Sequence, residues 1–306
     1  MTSDAAARQR TGPTWLPLAA VLVTVVLWAS AFVAIRHLGH EMSPGALSLG
    51  RLLVASLVLG GFVLARRGEP AERGTGWPSG AGWVRMLVCG VAWFGIYNVA
   101  LNAAEQRVDA GTAAMLVNIG PILIAVLAGL MLGEGFPKRL LTGMAVAFLG
   151  VLVIGTSTSP GGDADLWGVA LCLVSAVGYA VGVISQKPLL KEVSALRVTW
   201  LACTIGAVSC LPFGPDLLRD LAAAQPATVW WVVYLGVMPT ALAFTTWAYA
   251  LARTDAGKLG VSTYLVPPVA IGLGWLLLGE TPAPLAYLGG AICLAGVYLA
   301  RRTPRT

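Results

Sequence analysis

Apolar residues run along this chain in ten long blocks, each broken off by a short polar or Gly/Pro-rich stretch. The blocks cover 16–36, 44–65, 83–104, 111–132 and 138–155, then 166–186, 195–213, 229–251, 258–278 and 284–300. A helix needs about 17–25 apolar residues to cross a bilayer, so every block is long enough, and 138–155 sits at the lower limit. None shows the alternating segments of about ten residues that build an outer-membrane barrel. The pattern predicts an all-α polytopic membrane protein with ten transmembrane helices. A Gly/Ser/Thr/Pro/Asp stretch at 156–165 divides them into two sets of five. The expected organisation is a tail at 1–14, a first five-helix repeat at 15–155, an external linker at 156–165, a second repeat at 166–300 and a tail at 301–306. No small-residue cleavage site follows the first block, which therefore reads as a retained helix and not a signal peptide.

The two halves share a skeleton. Arg107-Val108-Asp109-Ala110-Gly111 returns as Arg253-Thr254-Asp255-Ala256-Gly257. Continued without a gap, Pro121 falls on Pro267, Gly133-Glu134 on Gly279-Glu280, Gly143 on Gly289 and Gly150 on Gly296. These matches are mostly glycine, proline and charge, which set backbone shape and helix ends. The apolar residues between them have drifted, so the duplicated property is a fold and not an active site. An odd number of spans per half makes the second half cross in the opposite sense. Inverted repeats of this kind are the architecture of many secondary transporters, with the substrate near the midplane between the halves.

Charge orients this arrangement. With the N-terminus cytoplasmic, the inside segments hold all of the 20 Lys and Arg residues except Arg36, Arg107, Arg219 and the span residue Arg51. The positive-inside rule then places both termini in the cytoplasm, in a plasma (bacterial inner) membrane. Composition agrees. The chain is 57% hydrophobic and 11% charged, with a mean hydropathy of +0.79, whereas a soluble domain carries about 25% charged residues. The net charge of +6 accordingly marks orientation and not nucleic-acid binding. The five cysteines all lie in apolar blocks at spacings that fit no metal motif. They read as small core residues, without disulfides. No phosphate-binding Gly-Lys-Ser/Thr loop and no His/Glu pair of metalloprotease spacing occurs. Neither a cofactor nor a metal is expected.

Several stretches resemble the EamA-type branch of the drug/metabolite transporter superfamily. They are Leu27-Trp28-Ala29-Ser30-Ala31-Phe32, Arg51-Leu52-Leu53-Val54-Ala55, and the two Pro…Gly-Glu helices with the Gly-rich helix after each. The resemblance spans 15–300. It implies a ten-helix permease with cytoplasmic termini that works in efflux of amino acids or related small metabolites.

Candidate site residues come from polar and aromatic groups placed deep in the spans. Pro121, Pro267 and Pro268 interrupt helices four and nine, because proline cannot donate to the carbonyl four residues back. Broken backbone at membrane depth is tolerated where protein or a water-filled cavity satisfies it. Asn118, Thr263 and Tyr264 lie beside these breaks. Tyr97, Asn98 and Asn102 share a region of helix three. Trp28 lies on a stripe with Thr24 and Phe32, Tyr179 on one with Ser175 and Gln186, and Trp247 in a polar-aromatic cluster of helix eight. These residues form the expected substrate-binding set, or else helix–helix contacts. Arg51 is an anion contact, or else a snorkelling side chain or one tied to backbone carbonyls. Glu134 and Glu280 end equivalent helices and are expected to hold the tight connection to the next one. All fourteen acidic residues fall in tails, loops or helix ends, so energy coupling through a buried carboxylate is not expected. The function read from all this is a secondary transporter exporting a small metabolite by alternating access. The alternatives are a lipophilic-drug exporter, a membrane-embedded enzyme and a non-transporting receptor. Expected partners are the substrate, the lipid bilayer and a second copy of the chain as a homodimer, with no nucleic acid.

Overall fold

The computed structural model describes residues 15–39, 41–66, 76–107, 113, 116–158, 165–278 and 284–301. Every regular element among them is helical. The first half contains α1 (Leu16–Leu38), α2 (Pro44–Ala65), α3 (Gly80–Cys89), α4 (Tyr97–Glu105), α5 (Gly120–Met131) and α6 (Lys138–Thr158). The second contains α7 (Leu166–Leu189), α8 (Ala195–Ser209), α9 (Gly214–Ala223), α10 (Pro226–Leu235), α11 (Ala243–Leu251), α12 (Ala256–Val261), α13 (Val266–Leu278) and α14 (Pro284–Arg301). Seven helical segments among the described residues are long and apolar enough to cross a membrane. Joining α8 to Leu211–Ala223, which bends from it by 56°, makes up to eight. The protein is a multi-pass membrane protein. Its outer surface is studded with exposed Leu, Val and Phe, while Trp15, Trp77, Trp83 and Trp167 are exposed near helix ends, as interface anchors are.

The spans depart from unbroken rods in three instructive ways. The expected helix at 195–213 ends at Ser209, passes through a 3-10 turn at Leu211–Phe213 and restarts in a new direction as α9. Pro212 and Pro215 supply the reason, since neither can donate to the turn before it. Next, α3 and α4 are joined by a π-helical segment, Gly90–Ile96, and α10 and α11 by another, Gly236–Leu242. Finally, the proline breaks are real but lie just upstream of the prolines. A turn at 118–119 precedes α5, and a 3-10 segment, Ser262–Leu265, precedes α13. Pro121, Pro267 and Pro268 then fall in the first turn of the resumed helix, where a missing N–H costs least.

Element boundaries recur at a constant offset. From Gly90 to Gly236 is 146 residues, and the same step carries α3 onto α10, the first π segment onto the second, and α4 onto α11, end for end. The seam between α6 and α14 carries the same relation. Ala147 O accepts from Cys293 Sγ at 3.3 Å, and these two residues are 146 apart. On either side, a Cβ on Gly296 would lie 2.6 Å from Gly143 O, and one on Gly289 would lie 2.7 Å from Gly150 O. The helices run antiparallel, and the four glycines matched in the sequence meet in crossed pairs. Close approach of backbones through small residues is how membrane helices gain contact area when no hydrophobic drive separates protein from lipid.

Interhelical hydrogen bonds tie the rest. Thr24 pairs with Thr246 at 2.8 Å, Ser30 with Tyr234 at 2.8 Å and Ser56 with Thr204 at 2.7 Å. Ahead of α7, Asp165 accepts from Trp167 N at 2.9 Å as its N-cap and pairs with Arg107 at 3.0 Å. The Arg107 hydrogen bond first, then the Trp167 N–H, hold the Asp165 carboxyl below its usual range.

Candidate functional site

The largest buried cluster runs along the middle of the bundle, and its aromatic members concentrate at one level. Trp28 of α1 lies 5.1 Å from Trp247 and 5.2 Å from Phe244, ring centre to ring centre. Trp93, in the first π segment, lies 5.0 Å from Phe244 and 5.2 Å from Tyr179. Tilted and edge-on pairs at these separations are each worth about 0.5–1.5 kcal/mol beyond the area they bury. Together the rings form a stiff floor across the bundle.

A cavity opens above that floor. Its walls come from α1 (Trp28, Phe32, Ile35), α2 (Arg51), α4 (Tyr97, Asn98, Leu101), the α5 break (Val117, Asn118, Pro121), Tyr179, Phe244, and the α13 break (Thr263, Val266). The α1, α2, α4 and α5-break residues come from the parts of their spans nearer the α1–α2 connection, whereas Tyr179, Phe244 and Thr263 lie at or past the middle of theirs. The space open to water-sized atom centres is about 70 Å³. A single water needs about 10–15 Å³ on that measure, so several waters or the polar end of a small metabolite fit.

The π segments aim the polar wall. A π turn leaves carbonyls without their usual partner four residues on, and side chains fill the gap here. Asn98 Nδ2 donates to Phe94 O at 2.9 Å and to Trp93 O at 3.3 Å, which leaves its Oδ1 for the cavity. Thr240 Oγ1 donates to Leu235 O at 2.7 Å and accepts from Arg51 Nε at 3.0 Å. Arg51 is only 5% exposed. It therefore does not snorkel to the surface, and among the described residues its side chain donates to a hydroxyl and not to a backbone carbonyl. Thr240 holds one edge of its guanidinium, and no carboxylate among the described residues lies within ion-pair distance of it. Glu105 attracts it electrostatically from outside the lining. Among the described residues, Arg51 is the one charged side chain in the wall.

Of the residues singled out in the sequence, Trp28, Arg51, Tyr97, Asn98, Asn118, Pro121, Tyr179 and Thr263 meet at this cavity. Five do not line it. Asn102 donates to Ser48 Oγ at 3.0 Å and Pro44 O at 3.4 Å, which ties α4 to α2. Trp247 lies under Trp28 in the floor, 1% exposed. Tyr264 is fully buried in a separate cluster with Phe148. Pro267 and Pro268 shape the turn that presents Thr263 and Val266. Sequence reasoning missed Trp93 and Phe244, which read as ordinary apolar span residues. The one available signal was Trp93, four residues before Tyr97 on the same helix face. The Tyr179 hydroxyl has no partner at hydrogen-bond distance. The neighbouring Thr263 hydroxyl is donated to Gly260 O at 2.7 Å.

Below the floor the bundle is shut. Lys187, at the end of α7, donates to Leu251 O and Thr254 O, both at 2.6 Å. Glu134 accepts from Ala256 N at 2.7 Å and Gly257 N at 3.0 Å, and so caps the start of α12. Gly133 and Gly135 flank it, both at φ +69°, a conformation that aims the carboxylate across the bundle. Glu134 therefore bonds across to the α11–α12 turn; it does not merely brace its own connection. Its sequence counterpart Glu280 lies outside the described residues. Replacing Glu134 by Ala removes a charged cap from two helix-start amides and should cost about 1–2 kcal/mol. Thermal unfolding in detergent would register this as a lowered midpoint, with Glu134→Gln intermediate because one acceptor remains.

The model of the EamA-like transporter family matches residues 15–156 and again 166–302. The chain is 39% identical over 92% of both chains to a protein of Streptantibioticus cattleyicolor named "Probable terminal-alkyne amino-acid exporter". It is 27% identical to the "Probable amino-acid metabolite efflux pump" of Salmonella typhimurium, covering 93% of this chain and 96% of that one. A solved crystal structure shares the fold at a TM-score of 0.75 and 18% identity, covering 93% of this chain and 96% of the other.

Proposed function

The chain belongs to the EamA-like transporter family, and on that premise we propose that it exports an amino-acid-like metabolite by alternating access. That it transports small metabolites follows from relatives named as exporters and efflux pumps over nearly their whole length. The amino-acid reading rests on one observation: among the described residues, the cavity wall holds a single buried guanidinium, presented beside amides and aromatic faces. Taking a guanidinium out of water is costly unless a counter-charge meets it. A substrate carboxylate meets that need, with the planar Arg fork suited to it. The ammonium end of an α-amino acid would face the rings of Trp28, Trp93 and Tyr179, which attract cations.

The architecture proposed is ten spans in two inverted repeats, with 15–155 and 166–300 as the halves. The 146-residue recurrence of element boundaries and the crossed glycine pairs support it. The Lys/Arg asymmetry supports cytoplasmic termini in a bacterial inner membrane. The cavity then lies toward the outside, and the Lys187 and Glu134 bonds close the cytoplasmic end. Among the described residues, no Asp, Glu or His stands in the cavity wall; this supports coupling that uses no buried carboxylate. Export of lipophilic drugs is the second reading, favoured by the apolar majority of the lining. Counterflow in proteoliposomes separates the two. Radiolabelled amino acids should exchange, while their decarboxylated amines and a lipophilic cationic dye should not. Dye flux without amino-acid exchange would overturn the proposal.

A further inference from the structure

Gln186 is the anomaly of the core. It is fully buried in α7, and among the described residues neither its Nε2 nor its Oε1 has a hydrogen-bond partner. The residue lies seven positions after Tyr179, hence on the same helix face and about 10 Å further along the axis. Val183, between them, is also fully buried. Tyr179 borders the cavity, and its ring lies 6.1 Å from that of Trp247. The Trp247 Nε1 is buried without a partner as well. Immediately past Gln186 comes Lys187, which fastens α7 to the α11–α12 turn and lies within electrostatic reach of Glu134 and Asp255. Unpaired polar groups thus follow one line: Tyr179 beside the cavity, Trp247 in the aromatic floor, Gln186 below it, and then the bonds that close the far end.

A leucine would fill the same volume without an orphaned amide. In this packed arrangement the amide contributes neither a donated nor an accepted bond, so its use lies in another arrangement of the helices. We propose that Gln186 is a second substrate contact, on the route from the cavity to the face closed by Lys187 and Glu134. There its C=O takes an ammonium and its NH2 a carboxylate, in the state where that face is open. A primary amide offers a donor and an acceptor side by side, which matches the head group of an α-amino acid. This inference rests on the amino-acid reading for its ligand, but not for its route.

The test reads route and ligand separately. Gln186→Cys is made alone and with Glu134→Ala, and a sulfonated maleimide is added to inside-out and right-side-out vesicles. Modification at position 186 is followed by mass spectrometry. We expect labelling at least tenfold faster in the double variant, from the Glu134 side only, and slowed severalfold by a mixture of standard L-amino acids. Labelling that Glu134→Ala does not accelerate would place Gln186 in a permanently closed core and overturn the proposal. Acceleration without protection would remove the ligand contact. If wild type then also fails to exchange amino acids, the substrate reading has failed and not the route. As a second variant, Gln186→Leu should keep its melting midpoint while maximal exchange falls about tenfold. A lowered midpoint with an unchanged rate would mark a purely structural residue.

Discussion

Arg51→Leu should weaken amino-acid binding roughly 10- to 150-fold and remove the preference for amino acids over their decarboxylated amines. The magnitude follows from the bond being broken. A hydrogen bond to a charged group is worth about 1.5–3 kcal/mol, and each 1.4 kcal/mol is about tenfold in affinity. The substrate carboxylate would enter a cavity walled by rings and amides with no other cation among the described residues to meet it. Folding should not suffer, because the substitution removes a buried charge that no acid within ion-pair distance balances. The melting midpoint should stay level or rise. Arg51→Lys should fall between, since lysine keeps the charge but loses the planar fork and the fixed bond to Thr240. Isothermal binding with the purified protein and counterflow in proteoliposomes both read the effect. Wild-type affinity in Arg51→Leu would end the carboxylate assignment.

The second large effect is on stability. Gly296→Leu should destabilise the protein by about 3 kcal/mol or more, at the upper end of overpacking penalties. The added carbons would run into Ala147 N and Gly143 O, and both are backbone atoms that cannot swing aside. Gly289→Leu should behave alike, for its Cβ meets Gly150 O at 2.7 Å. Gly61, which has nothing within 4 Å of its Cβ position, is the control: Gly61→Ala should leave the melting midpoint within about 0.5 kcal/mol of wild type. Size-exclusion profiles and thermal melts of the three variants would decide it. A well-folded Gly296→Leu protein would mean that α6 and α14 can part without loss.

Hydropathy alone located the seven or eight candidate spans that the described residues contain, because a bilayer imposes length and apolarity on anything that crosses it. The duplicated glycines were legible as a repeated backbone skeleton, but not as a seam in which equivalent positions cross. What stayed hidden depends on partners remote in the chain. Asn98 and Asn102 share a helix face, yet Asn98 faces the cavity and Asn102 binds α2. Ser48, 54 positions away, makes that difference. Arg51 looked able to reach the surface, and Thr240, 189 positions on, turns it inward. Glu134 looked local and bonds to residues 122 and 123 positions away. Pro239 is the one compositional trace of a π segment, and it does not show how far the turn widens, so the aim of Thr240 could not be read in advance.

Those wide turns have a consequence for how the chain tolerates length changes. A helix advances about 100° per residue, so one residue more or fewer rotates everything downstream by that angle. The segment Gly90–Ile96 therefore works as a phase adjuster that sets the rotational position of Tyr97, Asn98 and Leu101, and Gly236–Leu242 does the same for Phe244 and Trp247. A single deletion inside either would let the span close up as regular α-helix of nearly the same length. It would still cross the membrane with Tyr97 and Asn98, or Phe244 and Trp247, close to their present facing, because a π turn spends about one residue more than an α turn on the same rotation; it would lose the freed carbonyls that Asn98 and Thr240 now bond.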